Sequence, residues 1–199
     1  MSSLHIHSSQ SKPTPLDEIL VLDEEKESVQ HGQSYPQVGV RGFGQGLFTK
    51  ESVDGTQTAY KAFNRLYEGA VVLSQVKGWE GAIAVCPAEL AGRYVSPEYR
   101  TFRCVPGKIL PEYMSALVAT PWFWGQLKTL TRGVGARRER TRPEQFLRMQ
   151  IPIPPVEQQK QALVVLERLK ALKQLQAETA TELDALLPSV LDRAFKGRF

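Results

Sequence analysis

The chain has 199 residues, which is enough for one domain of ordinary size and an extension. With 42% hydrophobic and 23% charged residues it has the composition of a folded protein, and two cysteines are too few for a disulfide framework. No apolar run approaches the roughly 18 residues that a membrane helix needs, so we expect a cytoplasmic protein without membrane association.

The net charge of +4 is unevenly distributed. Residues 1–35 contain six acidic and two basic side chains, a balance of −4, so the rest of the chain carries +8. Residues 1–15, rich in Ser, His, Lys and Pro, are predicted to be a flexible arm. Residues 16–150 are predicted to form the folded domain, and residues 151–199 a linker and a long helix.

Short apolar runs and turns fill the first half of this domain. Residues 19–22 predict a first buried strand, residues 35–40 a second strand, and residues 70–76 the clearest strand of the chain. Pro111 and Pro121 are each predicted to begin a helix, and the aromatic residues of the second helix are interpreted as core. Strands first and helices later indicate a mixed α/β domain of the α+β kind.

Two glycine-flanked loops interrupt the strands. The glycines of residues 42–46 lack the spacing of a dinucleotide loop and no helix follows them. We expect instead a flexible loop in which the backbone, Gln45 or Lys50 approaches a ligand closely. The second loop, residues 77–81, contains Lys77 and Trp79, and Trp79 is either a lid over the local core or a contact side chain.

A dense cluster of cations follows the second helix. Between Gln126 and Arg148 seven cations face two glutamates, and six of the seven are arginine, whose planar fork fits phosphate and the guanine edge. A solvated basic face is the alternative, but the density favours nucleic acid. The predicted DNA-binding residues are Arg41, Gln45, Lys50, Gln75, Lys77, Trp79, Arg132, Arg137, Arg138 and Arg140.

No catalytic or metal-binding constellation is present in the sequence. Ser74 lacks a glycine elbow and a partner histidine, and Glu24-Glu25-Lys26 lies in a charge run without a convincing partner aspartate. We therefore expect a non-catalytic protein without a metal.

The last quarter of the chain has the pattern of a coiled-coil helix. After the prolines of residues 152–155, no proline or glycine occurs until Pro188, and apolar residues recur at steps of three and four. From 157 to 187 such a helix is about 45 Å long. A helix lying across its own domain is the alternative to a helix that packs on a partner helix. The predicted seam is Val165, Leu169, Leu172, Gln176, Thr179, Leu183, Leu186 and Val190.

The segment Ile151-Pro152-Ile153-Pro154-Pro155-Val156-Glu157-Gln158-Gln159, its long helix, and the ending Arg193-Ala194-Phe195-Lys196-Gly197-Arg198-Phe199 strongly resemble the specificity (S) subunit of type I restriction–modification systems. Glu68-Gly69-Ala70-Val71-Val72-Leu73-Ser74 is similar to the middle of that family's target recognition domain. A full S subunit has two recognition domains and two long helices, whereas this sequence has one of each. It therefore resembles a half-subunit, either a natural short form or a fragment.

The resemblance implies a DNA-recognition subunit that binds double-stranded DNA. Two copies would pair their helices antiparallel and recognise a bipartite palindromic site. The implied partners are a methyltransferase (modification) subunit, which would hold the S-adenosylmethionine, and a restriction subunit as a further candidate. No cofactor is expected in this chain. The alternatives are an adaptor or inhibitor that docks through its helix without base recognition, and a related restriction system whose partner combines cleavage and methylation.

Overall fold

The computed structural model describes residues 13–130 and 140–195, and the chain divides into two units, residues 1–159 and 160–199. Four helices are present in the described ranges: α1 (Pro111–Val118), α2 (Pro121–Leu130), α3 (Pro143–Leu147) and α4 (Val156–Phe195). Proline is the first residue of α1, α2 and α3, where its missing N–H costs nothing because that group has no partner within the helix. The predictions that Pro111 and Pro121 begin helices are confirmed.

The described strands are short and pair antiparallel in five small sheets. In chain order they are β1 (Pro13–Pro15), β2 (Leu20–Leu22), β3 (Glu25–Ser28), β4 (Ser34–Tyr35), β5 (Val38–Val40), β6 (Leu47–Thr49), β7 (Val53–Asp54), β8 (Ala62–Arg65), β9 (Val71–Ser74), β10 (Ile83–Val85), β11 (Tyr94–Val95), β12 (Tyr99–Cys104) and β13 (Gln150–Pro152). The largest sheet has the order β10-β9-β12-β2, and a second has the order β11-β8-β3. The remaining pairs are β1-β13, β4-β7 and β5-β6.

Strand β9 lies at the centre of the first unit and is buried on both faces. Because successive side chains point to opposite faces, Val71 and Leu73 belong to one apolar cluster and Val72 to another. The first cluster includes Met114 of α1, so helices cover that face of the sheet. The strand predicted from residues 70–76 is therefore confirmed, and its continuous apolar run is explained by burial on both sides.

The folded chain begins earlier than expected. Residues 13–15 lie in the predicted arm, yet β1 pairs with β13, with Thr14 opposite Ile151. This pairing brings together segments that lie far apart in the sequence, which local composition does not reveal. The rest of the predicted arm, residues 1–12, lies outside the described residues.

Two strand predictions need correction. In β2 only Leu20 is buried, while Val21 and Leu22 are exposed, because β2 is the edge strand of its sheet. The predicted strand of residues 35–40 is two strands in different sheets, β4 and β5. Pro36 lies between them and cannot donate a ladder hydrogen bond.

Helix α4 extends beyond the proline-free stretch of residues 157–187 that was used to predict its length. Its 40 residues correspond to about 60 Å if straight. The helix continues through Pro188 and past the predicted seam residue Val190. Proline lacks the N–H that would bond to the carbonyl of Asp184, so one helical hydrogen bond is missing at this point.

Candidate nucleic-acid interface

Two loops and a helix corner meet on one side of the first unit. The backbone N–H of Phe43, in the loop of residues 42–46, donates to the carbonyl of Glu80 at 2.7 Å, where residues 78–80 form a short 3-10 turn. Gly44 has a φ of 67°, and a Cβ there would lie 2.7 Å from the carbonyl oxygen of Ala119, between α1 and α2. Glycine is required at residue 44 both by this close approach and by its left-handed backbone.

The C-terminal end of the arginine-rich segment joins the same region. The N–H of Thr141 donates to the carbonyl of Gln75 at 2.8 Å, and a Cβ on Gly78 would lie 2.3 Å from the hydroxyl oxygen of Thr141. The guanidinium of Arg140 forms an ion pair with Glu98 at 3.0 Å. The described chain therefore resumes, at residues 140 and 141, beside residues 75–78.

The structure places the predicted DNA-binding residues in three groups. Gln75 is buried, 7% exposed, and its backbone bonds to Glu98 and Thr141. Little of Gln75 is accessible, and its predicted contact with adenine stays a prediction. Six of the predicted residues are exposed: Arg41, Gln45, Lys50, Lys77, Trp79 and Arg140. Arg132, Arg137 and Arg138 lie outside the described residues.

The acidic N-terminal segment has a structural role in the large sheet. Glu24 pairs with Arg100 of β12 at 2.8 Å and with Lys26 at 3.0 Å, and Asp23 pairs with Arg103. Burial raises the pKa of Glu24, but hydrogen bonds and charges from Arg100 and Lys26 outweigh it, so its pKa lies below the ordinary value. Arg100 and Arg103 are therefore occupied within the fold.

Unlike Arg100 and Arg103, the exposed cations in and beside the two loops form no ion pair in the described part of the chain. Within the described part of the chain, no carboxylate lies within ion-pair distance of Arg41, Lys50 or Lys77. The guanidinium of Arg41 lies 5.2 Å from the ring centre of Phe48, which orients it without neutralising its charge. These three side chains can bind an anionic surface without first breaking an ion pair.

Sequence reasoning missed two exposed aromatic side chains at this surface. Phe43 is 57% exposed, and its ring meets Trp124 edge-on at 5.5 Å. Trp122 of α2 is also exposed, although the aromatic residues of this helix were expected in the core, where only Phe123 is fully buried. Trp79 is 44% exposed, so it is not a buried lid over the core. An aromatic residue between two glycines was the one available signal for Phe43.

Helix α4 exposes most of its predicted seam. The side chains of Val165, Leu172 and Leu183 are each more than half exposed, and Leu169 is 38% exposed. Gln176 and Thr179 are exposed as well, and the Thr179 hydroxyl donates to the Leu175 carbonyl at 2.8 Å. Leu186 is exposed, and the side chain of Val190 lies outside the described residues. The described part of the predicted seam is therefore an exposed, largely apolar stripe.

Among residues 13–130 and 140–195, no three His, Cys, Asp or Glu side chains are placed to hold a metal ion. No helix in these ranges is both long and apolar enough to cross a membrane.

The fold is that of the specificity subunits of type I restriction–modification systems. Superposition on the HsdS subunit from Thermoanaerobacter tengcongensis gives a TM-score of 0.68 at 18% identity, covering 90% of this chain and 48% of that subunit. The second similar structure describes complex assembly and conformational transition of the type I R-M system. Superposition on a chain of that structure gives a TM-score of 0.65 at 19% identity, covering 94% of this chain and 50% of that chain. No protein-family model matches the sequence, and no curated protein is significantly similar to it.

This chain thus spans about half the length of the subunits it resembles. The predicted fold class, a mixed sheet-and-helix recognition domain followed by one long helix, is confirmed. The sequence resemblance to the S subunit is confirmed at the level of the fold.

Proposed function

We propose that this chain is the DNA-recognition subunit of a cytoplasmic type I restriction–modification system, in a half-subunit form. Two copies pair through α4 and place one recognition domain on each half of a bipartite palindromic DNA site. The chain itself is not catalytic. It recruits a methyltransferase subunit, which binds the S-adenosylmethionine, and in a complete system also a restriction subunit.

The fold supports this proposal most strongly. Nine tenths of this chain, with its sheet-and-helix domain and long helix, superpose on about half of an HsdS subunit. In the proposed half-subunit form, one chain contributes one recognition domain, so two copies are required to recognise two half-sites. A closed two-fold dimer is the simplest arrangement of two copies.

The exposed stripe of α4 supports pairing through the helices. An antiparallel helix pair would bury Val165, Leu172 and Leu183. In the single chain these side chains remain exposed to water. Gln176 and Thr179 lie in the middle of the seam, where polar residues fix register at a cost in stability. A helix of about 60 Å exceeds the roughly 34 Å of one duplex turn, which suits two half-sites separated by an unread spacer.

The exposed cations supply contacts of the required chemistry. Arg41, Lys50 and Lys77 are assigned to phosphates, and Gln45 to a base edge, because an amide bonds adenine in a bidentate manner. The proposed surface is completed by four further arginines, Arg132, Arg137, Arg138 and Arg140. The ion pair with Glu98 holds Arg140 at the edge of this surface.

Filter binding of the purified chain to duplex DNA tests the function. Each phosphate contact contributes a slope of about −0.9 to the logarithm of affinity against the logarithm of salt concentration. Three lysine and arginine contacts per copy then give a slope of about −3 or steeper. Binding without salt dependence, or none at all, would contradict the proposal.

The exposed apolar helix also fits a second candidate function. In that hypothesis α4 docks on a protein partner, and the domain is an adaptor or inhibitor without base recognition. The same salt titration separates the two, since an adaptor has no reason to show a steep negative slope on DNA.

A further inference from the structure

Phe43 has a backbone conformation that its side chain does not favour. Its φ is 57°, and among the residues that the structure describes it is the one non-glycine residue with a positive φ. An L-residue in this left-handed region places its Cβ against its own carbonyl, so Gly, Asn and Asp are the usual occupants. Strained backbone of this kind persists where neighbouring structure imposes it, and it is concentrated at functional sites.

The surrounding structure fixes the Phe43 backbone without burying its ring. The N–H of Phe43 is bonded to the Glu80 carbonyl at 2.7 Å, and a Cβ on Gly42 would lie 3.1 Å from the same oxygen. A Cβ on Gly44 would lie 2.7 Å from the carbonyl oxygen of Ala119, so residue 44 passes close to the backbone between α1 and α2. One edge contact, with Trp124, supports the ring, and 57% of the residue remains exposed.

A fold that needed only a turn at residue 43 would be served better by glycine or asparagine. Single exposed apolar side chains are ordinary on protein surfaces. The Phe43 ring contributes to stability only through its edge contact with Trp124, while a side chain at this φ costs backbone strain. Its presence is therefore better explained by what the ring contacts outside the chain.

The surroundings of the ring are those of the proposed DNA surface. Arg41 and Gln45 flank Phe43 within the same loop, and both are exposed. The hydrogen bond to Glu80 joins this loop to the turn that carries Lys77 and Trp79. The cations of both loops suit DNA phosphates. When they bind the phosphates on either side of a groove, the Phe43 ring faces the base pairs in that groove.

We propose that Phe43 is a specificity-determining residue that makes an apolar contact with the 5-methyl group of a thymine in the major groove. This inference rests on the proposed DNA-recognition function. A phenyl ring offers no hydrogen bond, and the thymine methyl is the apolar group that the four base pairs display in that groove. The backbone N–H groups of Phe43 and Gly44 donate to the carbonyls of Glu80 and Gly81, which positions the loop that carries the ring and reduces the ordering required on binding.

Two variants separate a contact role from a structural role. Phe43→Asn and Phe43→Gly both relax the left-handed backbone, so we expect the Tm to stay the same or to rise. We expect the affinity for the specific DNA site to fall at the same time, while non-specific affinity is retained. A residue kept for folding would show the opposite, a lower Tm with unchanged DNA binding. Tyr60→Asn, at another exposed aromatic residue, is the control for DNA binding and should leave the DNA affinity unchanged, while the loss of its edge contact with Phe63 lowers the Tm.

The test uses the full chain and a DNA site selected from random duplexes by the wild-type protein. Each thymine of that site is replaced in turn by deoxyuridine, which removes the 5-methyl group alone. The wild type should lose about fourfold in affinity per half-site at one thymine, the effect of one methyl-sized group. Phe43→Asn should bind the thymine and uridine forms equally.

The outcomes distinguish this inference from the function on which it rests. If the wild type selects a site but tolerates every uridine, or if Phe43→Asn keeps the wild-type affinity and uridine sensitivity, the methyl contact is refuted and DNA recognition stands. If the wild type neither selects a site nor binds DNA in a salt-dependent manner, the proposed function fails and the inference fails with it.

Discussion

The side-chain oxygen of Gln159 accepts a hydrogen bond from the backbone N–H of Leu110 at 2.9 Å, although 48 residues separate the two in the sequence. The amide nitrogen of Gln159 donates to the carbonyls of Lys108 and Pro154 at 2.9 and 2.8 Å. The side chain is fully buried in the first turn of α4. Gln159 thus ties the beginning of this helix to the segment that precedes α1.

Replacing Gln159 should destabilise the first unit substantially. In Gln159→Leu three partly buried backbone groups lose their partners, and each group left unsatisfied costs about 1–3 kcal/mol. We expect a loss of about 3 kcal/mol or more in the free energy of unfolding, measured with urea. Gln158→Leu is the matched control at an exposed neighbour and should stay within about 0.5 kcal/mol of the wild type. Equal effects of the two substitutions would contradict the role of the Gln159 bonds.

The two thiols should be inert in the folded protein. Burial, and then the charges of Glu89 and Glu68, raise the pKa of Cys86 to about 11, and burial followed by Glu112 raises that of Cys104 to about 11. At pH 8 the thiolate fraction is then roughly one in a thousand, against about a quarter for an ordinary cysteine. Reaction with a disulfide reagent at pH 8 should be slow in buffer and rapid in denaturant. Rapid labelling of either cysteine without denaturant would contradict their burial.

Lys50 and Lys77 are expected to contribute to DNA affinity through phosphates. The double variant Lys50→Ala/Lys77→Ala should bind less tightly to all sequences alike, with a salt slope shallower by about 2 per copy. Lys61→Ala removes an exposed lysine beside β8 and should leave the slope unchanged. A double variant with the wild-type slope would exclude both lysines as phosphate contacts.

Arg137 and Arg138 remain predicted contacts from the sequence. The double variant Arg137→Ala/Arg138→Ala should weaken DNA binding. If either arginine forms a bidentate bond to guanine, preference at that base pair should also relax by about 1–3 kcal/mol. Affinity that does not change at several salt concentrations would argue against both residues.

Charged substitutions in the seam of α4 should prevent pairing of two chains. Leu169→Glu and Leu183→Glu each place a carboxylate in the proposed apolar interface, and light scattering should then report monomers. Thr181→Glu lies on the opposite side of the helix and should leave the dimer intact. Dimers that persist in both leucine variants would show that the seam is not the interface.

The sequence revealed the elements whose signal is local. Residues 70–76 are apolar throughout because β9 is buried on both faces, and the three- and four-residue steps beyond residue 156 mark α4 without further information. The order of strands before helices was sufficient for the fold class.

What the sequence concealed depends on contacts between distant segments. β1 forms only because β13 provides its partner, and nothing in the composition of residues 13–15 indicates this. Gln75 has the chemistry of a base contact, but it is buried where Thr141 and Glu98 meet its backbone. The position of Phe43 between two glycines is visible in the sequence, but its unfavourable φ is not.

Selection of binding sites from random duplex DNA by the purified full chain tests the central claim most directly. Paired half-subunits should enrich two inverted copies of one short sequence, separated by a spacer of constant length and variable composition. Failure to enrich any sequence, or enrichment of a single continuous site without inverted symmetry, would contradict recognition by two copies joined through α4.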